Sequence, residues 1–148
     1  MLDSSTQSLL RDHVRRESRS LLAYVRDAYP WAAAEESEAL TTLRRLIREE
    51  EEAVAALGRF LARRRVALPP FESYPSSFTS INFVALDYLL PRLVEYQRHS
   101  LGDLERDLAR VKDPDARAQV QGLIDLKRRH LSSLEELAAQ HREPAVTT

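Results

Sequence analysis

Four ionisable side chains fall at positions where a helical protein is expected to bury apolar ones: Glu17, Glu50, Lys127 and His130. Burying a charge is costly unless it is paired with an opposite charge or bound to a metal. Carboxylates and imidazoles are ligands for transition metals, whereas an ammonium group can only pair with carboxylates. These residue types therefore predict either a metal site or a buried network of ion pairs.

The apolar residues around these side chains recur every three or four positions, which predicts four helices. The first is expected over about residues 5–28 and the second along the apolar positions from Leu40 to Leu61. The third is expected to begin at 76–79 and to end near Val111. The fourth follows Asp113 and Pro114, a typical helix start.

Residues 66–77 contain three prolines and no helical period. Fully extended, this segment reaches about 45 Å, enough to run the length of a helix of about 40 Å. We therefore predict an all-α, single-domain protein over residues 1–148, a ferritin-like four-helix bundle with 66–77 as its one long crossover. Phe71 and Tyr74 are expected to hold the crossover against the helices, and residues 1–4 and 140–148 to be frayed.

Counting from the predicted turns places the ionisable residues at one height in the bundle. Glu17 precedes Ala33 by 16 residues, and Glu50 follows Ala34 by 16. Counting in the same way from the turn at residue 113 places three side chains of the third and fourth helices at about this height: Gln97, Lys127 and His130. The sequence thus predicts a buried polar layer made of Glu17, Glu50, Gln97, Lys127 and His130, hereafter the polar layer.

This arrangement resembles the ferritin-like, rubrerythrin-like superfamily. That family carries Glu on the first helix, Glu-x-x-His on the second, Glu on the third and Glu-x-x-His on the fourth. The matching residues are Glu17 within RRESRSLLAY, Glu50 within REEEEAVAAL and His130 within LKRRHLSSLEEL. The resemblance implies a four-helix bundle and, where the ligands are retained, an iron or manganese centre of oxidase or iron-handling type.

Three positions depart from the family pattern. Ala53 stands where the second helix should carry His, and Gln97 stands where the third should carry Glu, unless Glu95 swings in. Lys127 stands in place of the Glu on the fourth helix. Because an ammonium group has no lone pair and repels a cation, Lys127 favours an ion-pair layer without metal or other cofactor.

Three functional hypotheses follow. The favoured one is a non-enzymatic bundle with no catalytic residue, which acts through self-association or a protein partner. The alternative is a carboxylate metalloprotein, either a di-metal oxidoreductase or a protein with one ion held by Glu17, Glu50 and His130. A third is a bundle that binds lipid or another small ligand, suggested by the apolar first half of the third helix and the Pro-rich crossover.

Composition excludes several other classes. Lys and Arg (22) nearly balance Asp and Glu (23), which argues against a nucleic-acid binder. The absence of cysteine excludes disulfides and thiolate metal sites. With no secretory signal and no apolar run of about 18 residues, we expect a cytoplasmic protein without a membrane span. His13, His99 and His141 are isolated in the sequence and are expected at the surface.

Overall fold

Capping side chains set where three of the helices begin. The carboxylate of Asp3 accepts a hydrogen bond from the Thr6 amide at 2.7 Å. The carboxylate of Asp113 accepts a hydrogen bond from the Ala116 amide at 2.9 Å, and a proline occupies the first helical position. The hydroxyl oxygen of Ser20 accepts a hydrogen bond from the Ala23 amide at 3.1 Å. Each cap satisfies an amide that has no partner within its helix.

The computed structural model describes residues 1–70, 72–82 and 84–141, and this part of the chain is all-helical. Its five α-helices are α1 (Ser4–Ser18), α2 (Leu21–Val25), α3 (Ser37–Arg63), α4 (Leu86–Leu108) and α5 (Pro114–Gln140). Two short 3₁₀ turns lie at Ala34–Glu36 and Ser76–Ile81. None of the helices described is both long and apolar enough to cross a membrane.

The predicted first helix over 5–28 is in fact two helices. α1 ends at Ser18, whose hydroxyl donates to the Val14 carbonyl at 2.6 Å. Ser20 takes an extended backbone conformation and caps α2, which ends at Val25. The prediction of one continuous helix was wrong because serine side chains compete for the backbone groups that helix continuation would use.

The third long helix begins later than predicted, at Leu86 rather than at 76–79. A short parallel bridge pairs Trp31 with Ala85. The Trp31 amide donates to the Val84 carbonyl at 2.8 Å, and the Leu86 amide donates to the Trp31 carbonyl at 3.0 Å. This pairing holds residues 84 and 85 in an extended conformation until the helix starts. Phe83 lies outside the described residues.

An aromatic cluster holds the segment between α3 and α4 against the helices. The ring centroids of Tyr74 and Tyr24 lie 5.2 Å apart in an edge-to-face arrangement. Phe78 lies 5.6 Å from Tyr24 and 5.8 Å from Tyr96 of α4. The anchoring role predicted for Tyr74 is confirmed, whereas Phe71 lies outside the described residues.

At the start of the chain, Leu2 is buried and Asp3 caps α1. At the other end α5 continues to Gln140, and residues 142–148 lie outside the described part of the chain.

The core consists of two apolar clusters separated by the polar layer. α1 and α5 each pack against α3, α4 packs along α5, and α2 contacts both α3 and α4. Along α3, Leu43 and Ile47 belong to one cluster, Leu57 and Leu61 belong to the other, and Glu50 lies between them. The same alternation holds along α4 and α5. The polar side chains therefore interrupt the core at one level.

Candidate functional site

Lys127 lies at the centre of the polar layer. Its side chain is 0% exposed. The ammonium Nζ donates to Glu17 Oε2 at 2.7 Å and to Glu50 Oε1 at 2.9 Å. One cation on α5 thus bridges carboxylates of α1 and α3.

The second oxygen of Glu50 is also bonded. Glu50 Oε2 accepts from Gln97 Nε2 at 3.0 Å and lies 2.8 Å from His130 Nδ1. Because a carboxylate can only accept, Nδ1 of His130 carries the hydrogen. The other ring nitrogen, Nε2, lies 3.5 Å from the partly exposed Glu49. The Gln97 amide also donates to the Lys127 carbonyl at 3.4 Å, which ties α4 to α5.

Ser100 completes the layer and was not predicted from the sequence. Its hydroxyl donates to Glu17 Oε1 at 2.6 Å. The available signal was its position three residues after Gln97, which places both side chains on one face of α4. With Ser100 included, four long helices each contribute at least one group to a single hydrogen-bonded network.

The charges in the layer stabilise one another. Burial alone raises the pKa of Glu50, but the charge of Lys127 and the hydrogen bonds from His130 and Lys127 outweigh it and lower the pKa from 4.5 to about 2. Burial alone lowers the pKa of Lys127, but the charges of Glu17 and Glu50 raise it above its ordinary value. The network therefore holds both groups in their charged forms at neutral pH.

The structure brings together all five residues predicted for the polar layer. Glu95, considered as a substitute for Gln97, is exposed and does not reach it, and Ala53 contributes no polar atom. Among residues 1–70, 72–82 and 84–141, no three His, Asp or Glu side chains are grouped so that they could hold a metal ion. The carboxylate oxygens that would face such an ion instead face the ammonium of Lys127.

His13 was expected at the surface, and that expectation was wrong. Its side chain is 2% exposed, and its Nε2 lies 2.9 Å from Asp107 Oδ2. Burial and the nearby charge of Arg16 lower the pKa of His13 below its ordinary value. Its position three residues after Leu10 was the signal that it lies on the buried face of α1. His99, by contrast, is 84% exposed, as expected.

Two cavities meet at Glu17. The larger, about 590 Å³, lies between α1–α2 and α3 and also reaches Glu50. The smaller, about 270 Å³, lies on the α4 side and is lined by polar groups that include His13, Arg16 and Ser100. Solvent-sized space therefore reaches the edge of the layer, while Lys127 at its centre remains fully buried.

Replacing Lys127 by methionine should destabilise the protein by about 3–5 kcal/mol, because two buried carboxylates lose their shared cation. The measurement is the free energy of unfolding in urea. Arg128→Met is the matched control: within the described part of the chain this exposed neighbour pairs with the surface carboxylates of Glu105 and Asp125, so its loss should cost about 1 kcal/mol or less. Equal losses in the two variants would contradict a central role for Lys127. Adding Glu17→Gln and Glu50→Gln to Lys127→Met should recover much of the stability.

The lowered pKa of Glu50 predicts a specific acid sensitivity. A carboxylate whose folded-state pKa is depressed stabilises the protein fully above its unfolded pKa, here 4.5, and loses that contribution as the pH falls through about 2. The shift corresponds to about 3 kcal/mol. The unfolding free energy of the natural protein should therefore fall by about that amount more than that of Glu50→Gln between about pH 5 and pH 2. Parallel curves for the two proteins would refute the assignment.

Comparison with known proteins adds no further constraint on this site. No protein-family model, curated protein or solved structure gave a significant match to this chain. The polar layer therefore has to be interpreted from its own geometry and chemistry.

Proposed function

We propose that this chain is a non-enzymatic, ferritin-like helical bundle in which a buried charged layer takes the place of a di-metal centre. The protein then functions through its surface, by self-association or by binding a protein partner. The observation that carries the proposal is the position of Lys127 Nζ, 2.7 Å from Glu17 and 2.9 Å from Glu50.

Helix packing supports the architectural part of the proposal. α1 and α2 together would form the first helix of the bundle, and α3, α4 and α5 the other three. The connection between α3 and α4 spans residues 64–85, whereas α4 and α5 are joined by only residues 109–113. One long connection between two helix pairs is the ferritin-like order.

The chemistry of the layer supports the absence of a metal centre. An ammonium group cannot be a metal ligand while it is protonated, and the raised pKa of Lys127 keeps it so. Each carboxylate already gives one oxygen to Lys127, and Glu50 gives the other to Gln97 and His130. Such a network adds little net stability, and we assign it the role of fixing how the helices align.

The surface offers an aromatic group suited to protein binding. Trp31 is 70% exposed, although its backbone is held on both sides by Val84 and Leu86. Tyr29, two residues earlier, is also exposed. Tryptophan and tyrosine are enriched at the energetic centres of protein interfaces, and a fixed backbone lowers the entropy lost on binding. We assign the self-association surface to this end of the molecule.

The second candidate is a metalloprotein in which Glu17, Glu50 and His130 hold iron or manganese. What favours it is that all three side chains meet in one network of hydrogen bonds around Lys127 and Glu50. For a metal to bind there, Lys127 would have to leave its position between the carboxylates. The ion would then supply the redox or Lewis-acid chemistry.

Metal analysis separates the two candidates. We expect protein purified without chelators to contain no stoichiometric iron, manganese or zinc, and its melting temperature not to rise with added Fe²⁺ or Mn²⁺. Lys127→Glu is the informative variant, since it supplies the Glu-x-x-His pair with His130 and removes the obstructing cation. It should gain metal-dependent stabilisation that the natural protein lacks. Stoichiometric metal in the natural protein, lost in His130→Ala, would overturn the proposal.

Self-association has its own test. The mass of the natural protein in solution, measured by light scattering across a range of concentrations, should exceed that of one chain. Trp31→Ser should reduce it towards the monomer. Leu68→Ser, at another exposed apolar residue, is the matched control and should leave the mass unchanged. A natural protein that stays monomeric throughout would exclude self-association.

A further inference from the structure

We propose that the 590 Å³ cavity between α1–α2 and α3 is a binding site for a hydrophobic primary amine, an alkyl chain that ends in an ammonium group. The site has aliphatic walls and an acidic floor. Its volume is within the range of about 300–1,000 Å³ that is typical of small-molecule sites.

Aliphatic side chains from three parts of the chain form the walls. Val14 and Leu22 face the cavity from α1 and α2, and Ile47 and Val54 from α3, with Leu68 of the crossover at one end. The break between α1 and α2 lies in the same wall, where Ser18 and Ser20 line the cavity. An alkyl chain placed here would lose part of its contact with water, the main favourable contribution to binding.

The floor of the cavity is formed by Glu17 and Glu50. Their two carboxylates share the single ammonium group of Lys127. Among the described residues Glu17 accepts two hydrogen bonds, from Lys127 and Ser100. Since a carboxylate offers about four acceptor positions, Glu17 retains capacity for a further donor.

The rim does not favour an anion. Arg26 pairs with Glu51 and Asp27, and Arg59 pairs with Glu52 at 2.7 Å. These arginines are therefore paired with carboxylates where they stand, whereas Glu17 on the floor retains capacity for a further donor. A ligand with an apolar body and a cationic N–H donor at one end complements both features.

This inference rests on the metal-free layer of the proposed function. A divalent metal ion between Glu17 and Glu50 would neutralise their two charges and, as a Lewis acid, would favour a carboxylate in the same apolar cavity. The two proposals can therefore fail separately, provided that the metal content is measured on the same sample.

The test is isothermal titration calorimetry at pH 7 with three probes of equal chain length: octylamine, octan-1-ol and octanoate. The amine is protonated at this pH, as a lysine side chain is. We expect octylamine to bind about tenfold more tightly than octanol, because a charge-assisted hydrogen bond is stronger than a neutral one. Octanoate should bind most weakly.

A matched pair of glycine variants locates the site. Gly58 lines the cavity, and a Cβ there would meet only Leu68 at 3.7 Å, so the leucine of Gly58→Leu can extend into the space. It should weaken octylamine binding about tenfold or more by occupying the apolar volume. Gly122→Leu lies on an exposed face of α5 with nothing near its Cβ, and should leave binding unchanged.

The outcomes are distinct. No preference for octylamine in a metal-free protein, or equal binding by Gly58→Leu and Gly122→Leu, overturns the amine site and leaves the proposed function standing. Stoichiometric metal together with tighter octanoate binding overturns both. Circular dichroism melts of the two variants establish that each is folded at the temperature of the titration.

Discussion

The contact on which the rest of the structure depends is the one that Lys127 makes with Glu17 and Glu50. It joins α5 to α1 and to α3 through one fully buried ammonium group. Gln97 and Ser100 extend the same network to α4. Because the two apolar clusters lie on either side of it, sliding α1, α3 or α5 by one turn would bury one of these charges without its partner.

This constraint explains why a costly layer is compatible with a stable protein. Apolar contacts between helices survive small shifts of one helix along another, since one leucine can replace another in the interface at little cost. Hydrogen bonds between buried charges do not survive such shifts, because a displaced charge loses its partner and has no water to replace it. The clusters therefore supply the free energy of burial, and the polar layer selects one alignment among several that the apolar pattern would allow.

The break after Ser18 connects this layer to the cavity beside it. α1 ends directly after Glu17, and the serines of the break line the same space that Glu17 and Glu50 reach. A continuous helix, as the periodicity predicts, would leave no such interruption in this wall. One of the features that the local sequence pattern did not predict thus accompanies the candidate ligand site, because serine hydroxyls compete there with the backbone bonds of a continuous helix.

Helical character, the apolar faces and the five members of the polar layer could be predicted from the sequence, because a period of three to four residues determines which side chains share a face. Counting from the turns even placed Lys127 level with Glu17 and Glu50. Tertiary structure alone decided which oxygen each donor meets, that His13 is buried against Asp107 and Ser100 bonds Glu17, and where Trp31 holds the start of α4. These features join residues that are distant in the chain, 94 positions apart for His13 and Asp107. The periodicity of a sequence shows which residues share one helix face, but only the packing of the folded chain determines which two faces meet.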